Sequence, residues 1–433
     1  MAANPNTIPM QTVWSKEYQS THYKIPVYPA ISNYRLKANL AKGNVVKRTY
    51  ARQLTARTMG GGGEFTRQTI VDTEETLTVN YEKDASFYVK DLDQLQNHLP
   101  LQQKYARNSS AALHQQIDAD VLGKYASFTN SLSASYFGGT SGNGIELTSS
   151  NVPQIFSGVN LLLQRSNIFL NVSAKFTAVK AEDSQFDMGA AVISPDVYNK
   201  IIERLEGKVG ALGDSVGVQG HVGKYMGYEL FVTNALAWTG TLYLATNPTD
   251  GDTIVINGVT LTAKSTVDAG TTAGQFKIAS TVDLTRANLV AFLNAPTTTV
   301  ADATNAGYNA VSATPDSSGF SNQDRLGNMT WTNDNSADTA TVVALGKGYV
   351  PVSDTLTAAA DGFLTGKYIQ HCLIGVMNAI DVVIQQEPKL DIRPRDGYVG
   401  KDVVTWCAYG INVFNDGLAK MVDVKISTEN YIS

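Results

Sequence analysis

The chain has 433 residues, room for two or three domains that each bury a core, which excludes a small disulfide-stapled scaffold. At 43% hydrophobic and 17% charged it is globular in composition, and its longest nearly unbroken apolar run, Cys372 to Ile380, is too short for a membrane-spanning helix. The net charge of −5 is uneven: Lys16 to Arg67 holds ten Lys/Arg against Glu17 and Glu64, whereas Gln68 to Pro100 holds seven acids against Lys83 and Lys90.

The first 44 residues are polar and interrupted by Pro5, Pro9, Pro26 and Pro29, so they read as an extended arm. Neither a basic n-region nor an apolar h-region opens the chain, so no secretion signal is expected. Val45 to Thr58 and Phe65 to Tyr81 are rich in β-formers and flank Met59 and four consecutive glycines, which predicts a long hairpin with a flexible tip. Apolar residues three or four apart from Leu101 to Phe128 predict one helix of about 40 Å. A second helix is expected from Pro153 to Arg165. A third follows Ser194, an N-cap residue with Pro195 in the first turn. Tyr225 to Thr233 and Val403 to Lys425 read as strands.

Residues 239–360 differ in texture. They are rich in Thr, Ala, Asp and Asn, and residues 241–360 carry ten aspartates against five basic side chains. Asn257-Gly258 within TIVINGVTLTA is a tight-hairpin signal, and a helix is expected over Leu284 to Leu293 with Asp283 as its cap. The stretch reads as a small β-rich module inserted into a host domain, entered through turn-like ends at Ala237 to Gly240 and Ala360 to Gly362.

Residue types that carry chemistry are scattered. The glycines at 60 to 63 lack the Gly-Lys-Ser/Thr of a phosphate cradle, and GFLTGKY at Gly362 to Tyr368 is one residue short of that spacing. The five histidines, His22, His98, His114, His221 and His371, form no metal-ligand spacing, and Cys372 and Cys407 read as buried thiols. Asp250 to Asp252 and Asn333 to Asp338 have the acids of a weak calcium loop without its glycine and terminal glutamate, so polar turns are expected. No metal, cofactor or catalytic residue is assigned.

The order of basic arm, glycine-tipped hairpin, long helix, α/β body and closing strands resembles the major capsid proteins of tailed bacteriophages. The similarity is carried by GNVVKRTYARQ entering the hairpin, LTVNYEKDASFYVKDLDQLQ leaving it, QQIDADVL in the long helix, AVISPDVYNKIIERLE, GHVGKYMGYELFVTNAL, AIDVVIQQEPKLDI and YGINVFNDGLAKMVDVKIS. It spans residues 14–238 and 361–433, and the body begins near Trp14, leaving no room for a leading scaffolding segment. The resemblance implies an α+β fold with an N-terminal arm (1–44), an extended loop hairpin (45–88), a peripheral domain with a spine helix (89–152 and about 379–433), an axial domain (153–238 and 361–378), and the β-rich insertion (239–360). It implies a non-enzymatic shell subunit forming hexamers and pentamers around double-stranded DNA, assembled in the bacterial cytoplasm and ending in the virion. Implied partners are other copies of the chain, a scaffolding protein, a portal and a decoration or cement protein, without a membrane and without sequence-specific DNA contacts.

Because an isolated two-stranded ribbon is marginal in water, the loop is expected to lie on a neighbouring copy. Arg52, Arg57, Gly60, Gly61, Gly62, Gly63 and Arg67 are then the expected intersubunit contacts. Two other readings remain open: another virion structural protein such as a tail-tube subunit, and a polysaccharide hydrolase with an accessory β domain. The hydrolase requires two converging carboxylates, for which Asp183 with Asp187 or Glu203 with Glu206 are the nearest pairs. Some capsids of the resembled family join a loop lysine to an asparagine of a neighbour, yet no lysine lies between Lys47 and Lys83. Denaturing electrophoresis of assembled material should therefore give the monomer band, and a ladder of covalent multimers would contradict this.

Overall fold

The computed structural model describes residues 23–39, 43–51, 54–59, 67–70, 72–91, 101–168, 188–206, 222–268, 270–271, 273–316, 320–358, 361–395 and 397–428. The fold is mixed, with few helices and many strands. The chain enters along a short helix α1 (Tyr28–Ile31) and a two-residue strand β1 (Ser32–Asn33). The hairpin forms but is shorter than expected: β2 (Val45–Ala51) pairs antiparallel with β3 (Asp72–Thr78), from Val45 opposite Thr78 to Ala51 opposite Asp72, residues 54–59 and 67–70 are not strand, and the four glycines lie outside the described residues. Only its root is packed, with Val46 and Leu77 buried against Val383 and Phe414. Each such burial contributes about 2 kcal/mol, so the root is fixed by the body while the far end is not.

Strand β4 (Tyr81–Lys90) then leads to helix α2 (Leu101–Leu122), whose Leu113, Ile117 and Val121 are buried at helical spacing. This helix stops six residues before the expected Phe128. Gly123 begins a 3₁₀ turn through Ser127 that still buries Phe128, so the apolar spacing continued across a change of helix type. Strand β5 (Asn130–Leu132), helix α3 (Val152–Arg165), strand β6 (Gly189–Ile193) and helix α4 (Pro195–Glu206) follow. The start of α4 is capped as expected, with Val197 N–H donating to Ser194 Oγ at 3.3 Å.

The strands β7 (Lys224–Tyr225), β8 (Tyr228–Val232) and β9 (Ala237–Tyr243) precede the Thr/Asp-rich stretch, which folds as β10 (Thr253–Ile256), β11 (Val259–Lys264), β12 (Gln275–Lys277), α5 (Val282–Asn294), α6 (Asn322–Leu326), β13 (Met329–Asp334), β14 (Thr339–Ala344) and β15 (Val352–Asp354). Asn257 and Gly258 both take positive φ, 50° and 78°, closing the β10–β11 hairpin as their pairing predicts. Helix α5 starts earlier than expected: Thr281 caps it, accepting from Leu284 N–H, because Asp283 is engaged by the Arg286 guanidinium instead. The stretch has its own core, in which Trp238, Phe276, Leu289, Phe292 and Trp331 are buried together.

The chain closes with β16 (Gly362–Phe363), β17 (Ile369–Val376), β18 (Ile380–Pro394), β19 (Gly400–Asn412) and β20 (Met421–Ser427). One sheet runs β1-β18-β19-β4, with α2 packed against it. A second, ten-stranded sheet runs β13-β14-β9-β17-β6-β8-β7, with β16, β20 and β5 attached. This sheet corrects the expectation of turn-like ends at Ala237 to Gly240. Those residues are strand, pairing with Ile369–His371 on one side and with β14 on the other. Local composition reads as a turn there because both partners come from more than 100 residues away.

Gly348 sits at this junction with φ +70°, and a Cβ there would lie 2.4 Å from the Asn234 carbonyl oxygen. Its N–H donates to Leu236 O at 2.9 Å, so the backbone cannot retreat without losing that bond. Gly348→Ala should destabilise the chain by at least about 2 kcal/mol in chemical denaturation. An unchanged midpoint would show that the loop has room to adjust.

Candidate assembly surfaces

The hairpin positions the sequence-predicted contacts. Arg57 and Arg67 flank its outer end, are exposed, and make no ion pair among the described residues. Arg52 and the glycines at 60 to 63 lie outside the described residues. Beside the two arginines, Leu54, Met59 and Ile70 are each about 60–70% exposed, a cluster of apolar side chains with no cover from their own body.

Not all of the basic charge faces outward. Lys47 pairs with Glu74 across the hairpin at 2.6 Å and Lys37 with Glu387 at 2.7 Å. Arg48 binds both carboxylate oxygens of Asp416, at 3.1 and 2.6 Å, and lies over the Phe414 ring. Three cations of the basic stretch therefore secure the arm and hairpin root to their own chain. The exposed pairs are individually weak and weaken further with salt.

A second exposed apolar group lies where β18 and β19 run beyond the core. Leu390, Ile392, Tyr398, Val399 and Trp406 are all exposed, although the first five residues of β18 are buried. Arg395 holds the connecting turn by stacking on Tyr88 and Tyr398, and Tyr88 O–H donates to Val399 O at 2.9 Å. The turn is thus shaped by its own contacts while its apolar side chains face outward.

The groups that could have signalled catalysis are structural in this arrangement. His371 Nδ1 is 2.8 Å from Asp423 Oδ1 and its Nε2 is 3.0 Å from Thr239 Oγ1, the atom order of a nucleophilic triad. His371 and Asp423 are only 4% exposed, and the imidazole stacks on Tyr125 at 3.8 Å, so the set ties β9, β17 and β20 together and offers a substrate no approach. Glu203 pairs with Lys200 at 2.6 Å, and both Glu203 and Glu206 are exposed on α4, a solvated helix face. Asp183 and Asp187 lie outside the described residues.

Cys372 and Cys407 are buried, and burial pushes the Cys372 thiol up to about 12. In the second Asp-rich loop, Asn333, Asn335 and Asp338 turn their oxygens to the fully buried Arg286 guanidinium, which fills the place a cation would take. Asp250 and Asp252 bond Ser265, Thr249 and Thr357, which is turn chemistry. No group of three metal-ligating side chains is present among the described residues. Gly362 and Phe363 form a strand, so no helix N-terminus stands behind the GFLTGKY glycines to hold phosphate.

No family model matches the sequence, and no curated protein matches it. Among solved structures, the chain is similar to one of Mycobacterium phage Che8, at 13% identity over 97% of this chain and 98% of that one, with a TM-score of 0.53. Other similar structures are the capsid of cyanophage P-SCSP1u, at 12% identity, 97% and 93% coverage and TM-score 0.49, and a structure of Mycobacterium phage Ogopogo, at 10% identity, 99% and 100% coverage and TM-score 0.49. The Che8 likeness establishes a shared fold over nearly the whole of both chains.

Sequence reasoning missed the clasp that holds the arm. Asp118 of α2 is buried, and its Oδ1 accepts the N–H groups of Val27 and Tyr28 at 2.9 and 2.8 Å, while Tyr28 O–H meets His114 Nδ1 at 2.9 Å. Asp118 and Asp120, set among the apolar Ile117, Ala119 and Val121, were the available signal, since a carboxylate on a buried stripe needs partners. Asp120 finds Tyr409 O–H.

Burial raises the Asp118 carboxyl from 3.8 to about 6, against the opposing pull of the two N–H bonds and Lys24. The folded chain thus holds this proton more tightly than the unfolded chain. Its contribution to stability is greatest below pH 4 and is lost as the pH rises to about 6, by up to about 3 kcal/mol. Asp118→Asn keeps an acceptor for both N–H groups and should flatten that slope. An unaltered dependence of stability on pH between 4 and 6.5 in the variant would contradict the assignment.

Proposed function

We propose that the chain is the major capsid protein of a tailed bacteriophage, self-assembling into hexamers and pentamers of an icosahedral shell around double-stranded DNA. The observation that carries this is the hairpin reaching beyond the core, on the fold shared with the Che8 phage structure. Its outer apolar side chains, Leu54, Met59 and Ile70, lack cover within their own chain. A two-stranded ribbon gains independent order only by packing on something else, and a second copy supplies an identical partner for every subunit at once.

On this reading residues 1–44 are the arm, 45–88 the extended loop, 89–152 and about 379–433 the peripheral domain, and 153–238 with 361–378 the axial domain. Residues 239–360 form the β-rich addition, which adjoins the axial domain through the pairing of β9 with β17. The role is structural and not catalytic. Arg52, Arg57 and Arg67, with the glycines between them, contact acidic surfaces of the next copy, and many weak contacts combine because the shell is closed. A scaffolding protein, a portal and a decoration protein complete the partner set, and the virion is the final location.

Sedimentation of the purified chain tests the reading: capsomers or particles far above the 46.5 kDa monomer are expected, and a persistent monomer would sink it. Reversing Arg52, Arg57 and Arg67 together to glutamate should abolish the large species while leaving the circular dichroism of the monomer unchanged. Normal particles from that variant would remove these arginines from the interface.

A further inference from the structure

Four segments distant in sequence meet at one cleft: the arm at Lys24, helix α2 at Gln115 and Gln116, the β10–β11 turn at Asn257, and the stretch from Phe320 to Tyr349. Its volume of about 730 Å³ is that of a site for a small organic molecule or a short peptide. The lining carries three cations, Lys24, Arg325 and Lys347, against one carboxylate, Asp324.

The hydrogen bonds show which of these charges are already committed. Asp324 accepts Ser321 N–H and O–H at 2.9 and 2.6 Å, closing the cap of α6, and Arg325 pairs with Asp316. Lys24 Nζ donates to Gly346 O, and Lys347 Nζ donates to Asp324 O and Arg325 O at 3.2 and 3.4 Å. Neither lysine forms an ion pair among the described residues. An ammonium has three donors, so after these bonds Lys24 keeps two and Lys347 keeps one.

Both ammonium groups are thus partly desolvated, face one cavity, and hydrogen-bond to neutral carbonyls, with Asp118 and Asp324 near enough to act on them by charge but not paired with them. Burial lowers the pKa of each and the charge of Lys24 lowers that of Lys347 further, against the opposing charges of Asp118 on Lys24 and Asp324 on Lys347. An anion placed between them relieves both penalties at once. The walls beside them are carbon-rich: Phe320 is 60% exposed, and Leu345, Tyr349 and the methyl groups of Ala112 and Ala119 complete the lining.

We infer that this cleft is a binding site for a carboxylate carried on an organic body, with Lys24 and Lys347 donating to the carboxylate and Phe320 and Tyr349 packing against the carbon that bears it. Two sources carry this chemistry, a free dicarboxylic acid and an aspartate or glutamate side chain of a polypeptide. The site is separate from the hairpin and does not rest on the shell reading.

Titration calorimetry on the full chain at low salt tests it, with glutarate, a blocked Asp-Phe-Glu peptide and inorganic phosphate as probes. Saturable binding of at least one carboxylate probe is expected, with phosphate at least tenfold weaker because it gains nothing from the apolar walls. Tighter glutarate would identify a free acid as the source, and tighter peptide would identify a polypeptide. The Lys24→Gln, Lys347→Gln double variant should weaken binding at least tenfold, whereas Lys401→Gln, on distant β19, should not. Amine acetylation of the wild-type chain, read by mass spectrometry, keeps the test valid if the double variant misfolds: the carboxylate probe should slow labelling of Lys24 and Lys347 alone. No saturable carboxylate binding, phosphate binding as tight as either carboxylate, or labelling unchanged at saturating probe would overturn the proposal.

Discussion

The ten-stranded sheet is built around the strand Ile369–Val376, all eight of whose residues are buried. One edge serves two partners in succession, β9 along Ile369–His371 and β6 along Leu373–Val376, while the other carries β20 for most of its length. A strand occupied on both edges has no backbone group left for water, so its polar side chains must also be satisfied internally. His371 meets this demand through Asp423 and Thr239, whereas Gln370 meets half of it: Nε2 donates to Gly348 O at 2.7 Å while the buried Oε1 has no hydrogen-bond partner among the described residues. The Thr/Asp-rich stretch through β9, the strand β6 and the closing strand β20 are thereby fastened to one line of hydrogen bonds.

That rigid centre contrasts with the periphery. The hairpin and the outer half of β18–β19 are held at their roots by ordinary burial and by charged contacts such as Arg48 with Asp416. Beyond the roots, apolar side chains are left without cover. The same division separates the two kinds of basic residue in the arm and hairpin. Lys37, Lys47 and Arg48 lie close to the body and pair within it, whereas Arg57 and Arg67 lie farther out and face solvent. Close packing belongs to the centre, and the exposed apolar side chains of the hairpin and of the β18–β19 ribbon belong to the extensions.

The expected joint of the Thr/Asp-rich stretch shows how a composition boundary can mislead. The change in residue usage near Thr239 is real, and the stretch does assemble its own core around Phe276, Phe292 and Trp331. Trp238, one residue before the boundary, nevertheless belongs to that core, and β9 runs straight across it. Composition follows solvent exposure and local turn chemistry, whereas strand continuity here follows hydrogen-bond partners more than 100 positions away in the chain.

The sequence by itself determined the elements whose causes are local. Alternating residues made the paired part of the hairpin, Ser194 with Pro195 started α4, Asn257-Gly258 made its turn, and apolar spacing made most of α2. It also determined the resemblance in chain order. Only the tertiary structure decided which carboxylate clasps the arm, which cations remain unpaired, that Arg286 occupies the Asp-rich loop, and that Lys24 and Lys347 converge on one cleft. Each of those facts joins residues from separate elements, most of them tens to hundreds of positions apart. Their chemistry depends on distance and burial in space, and a linear pattern carries neither.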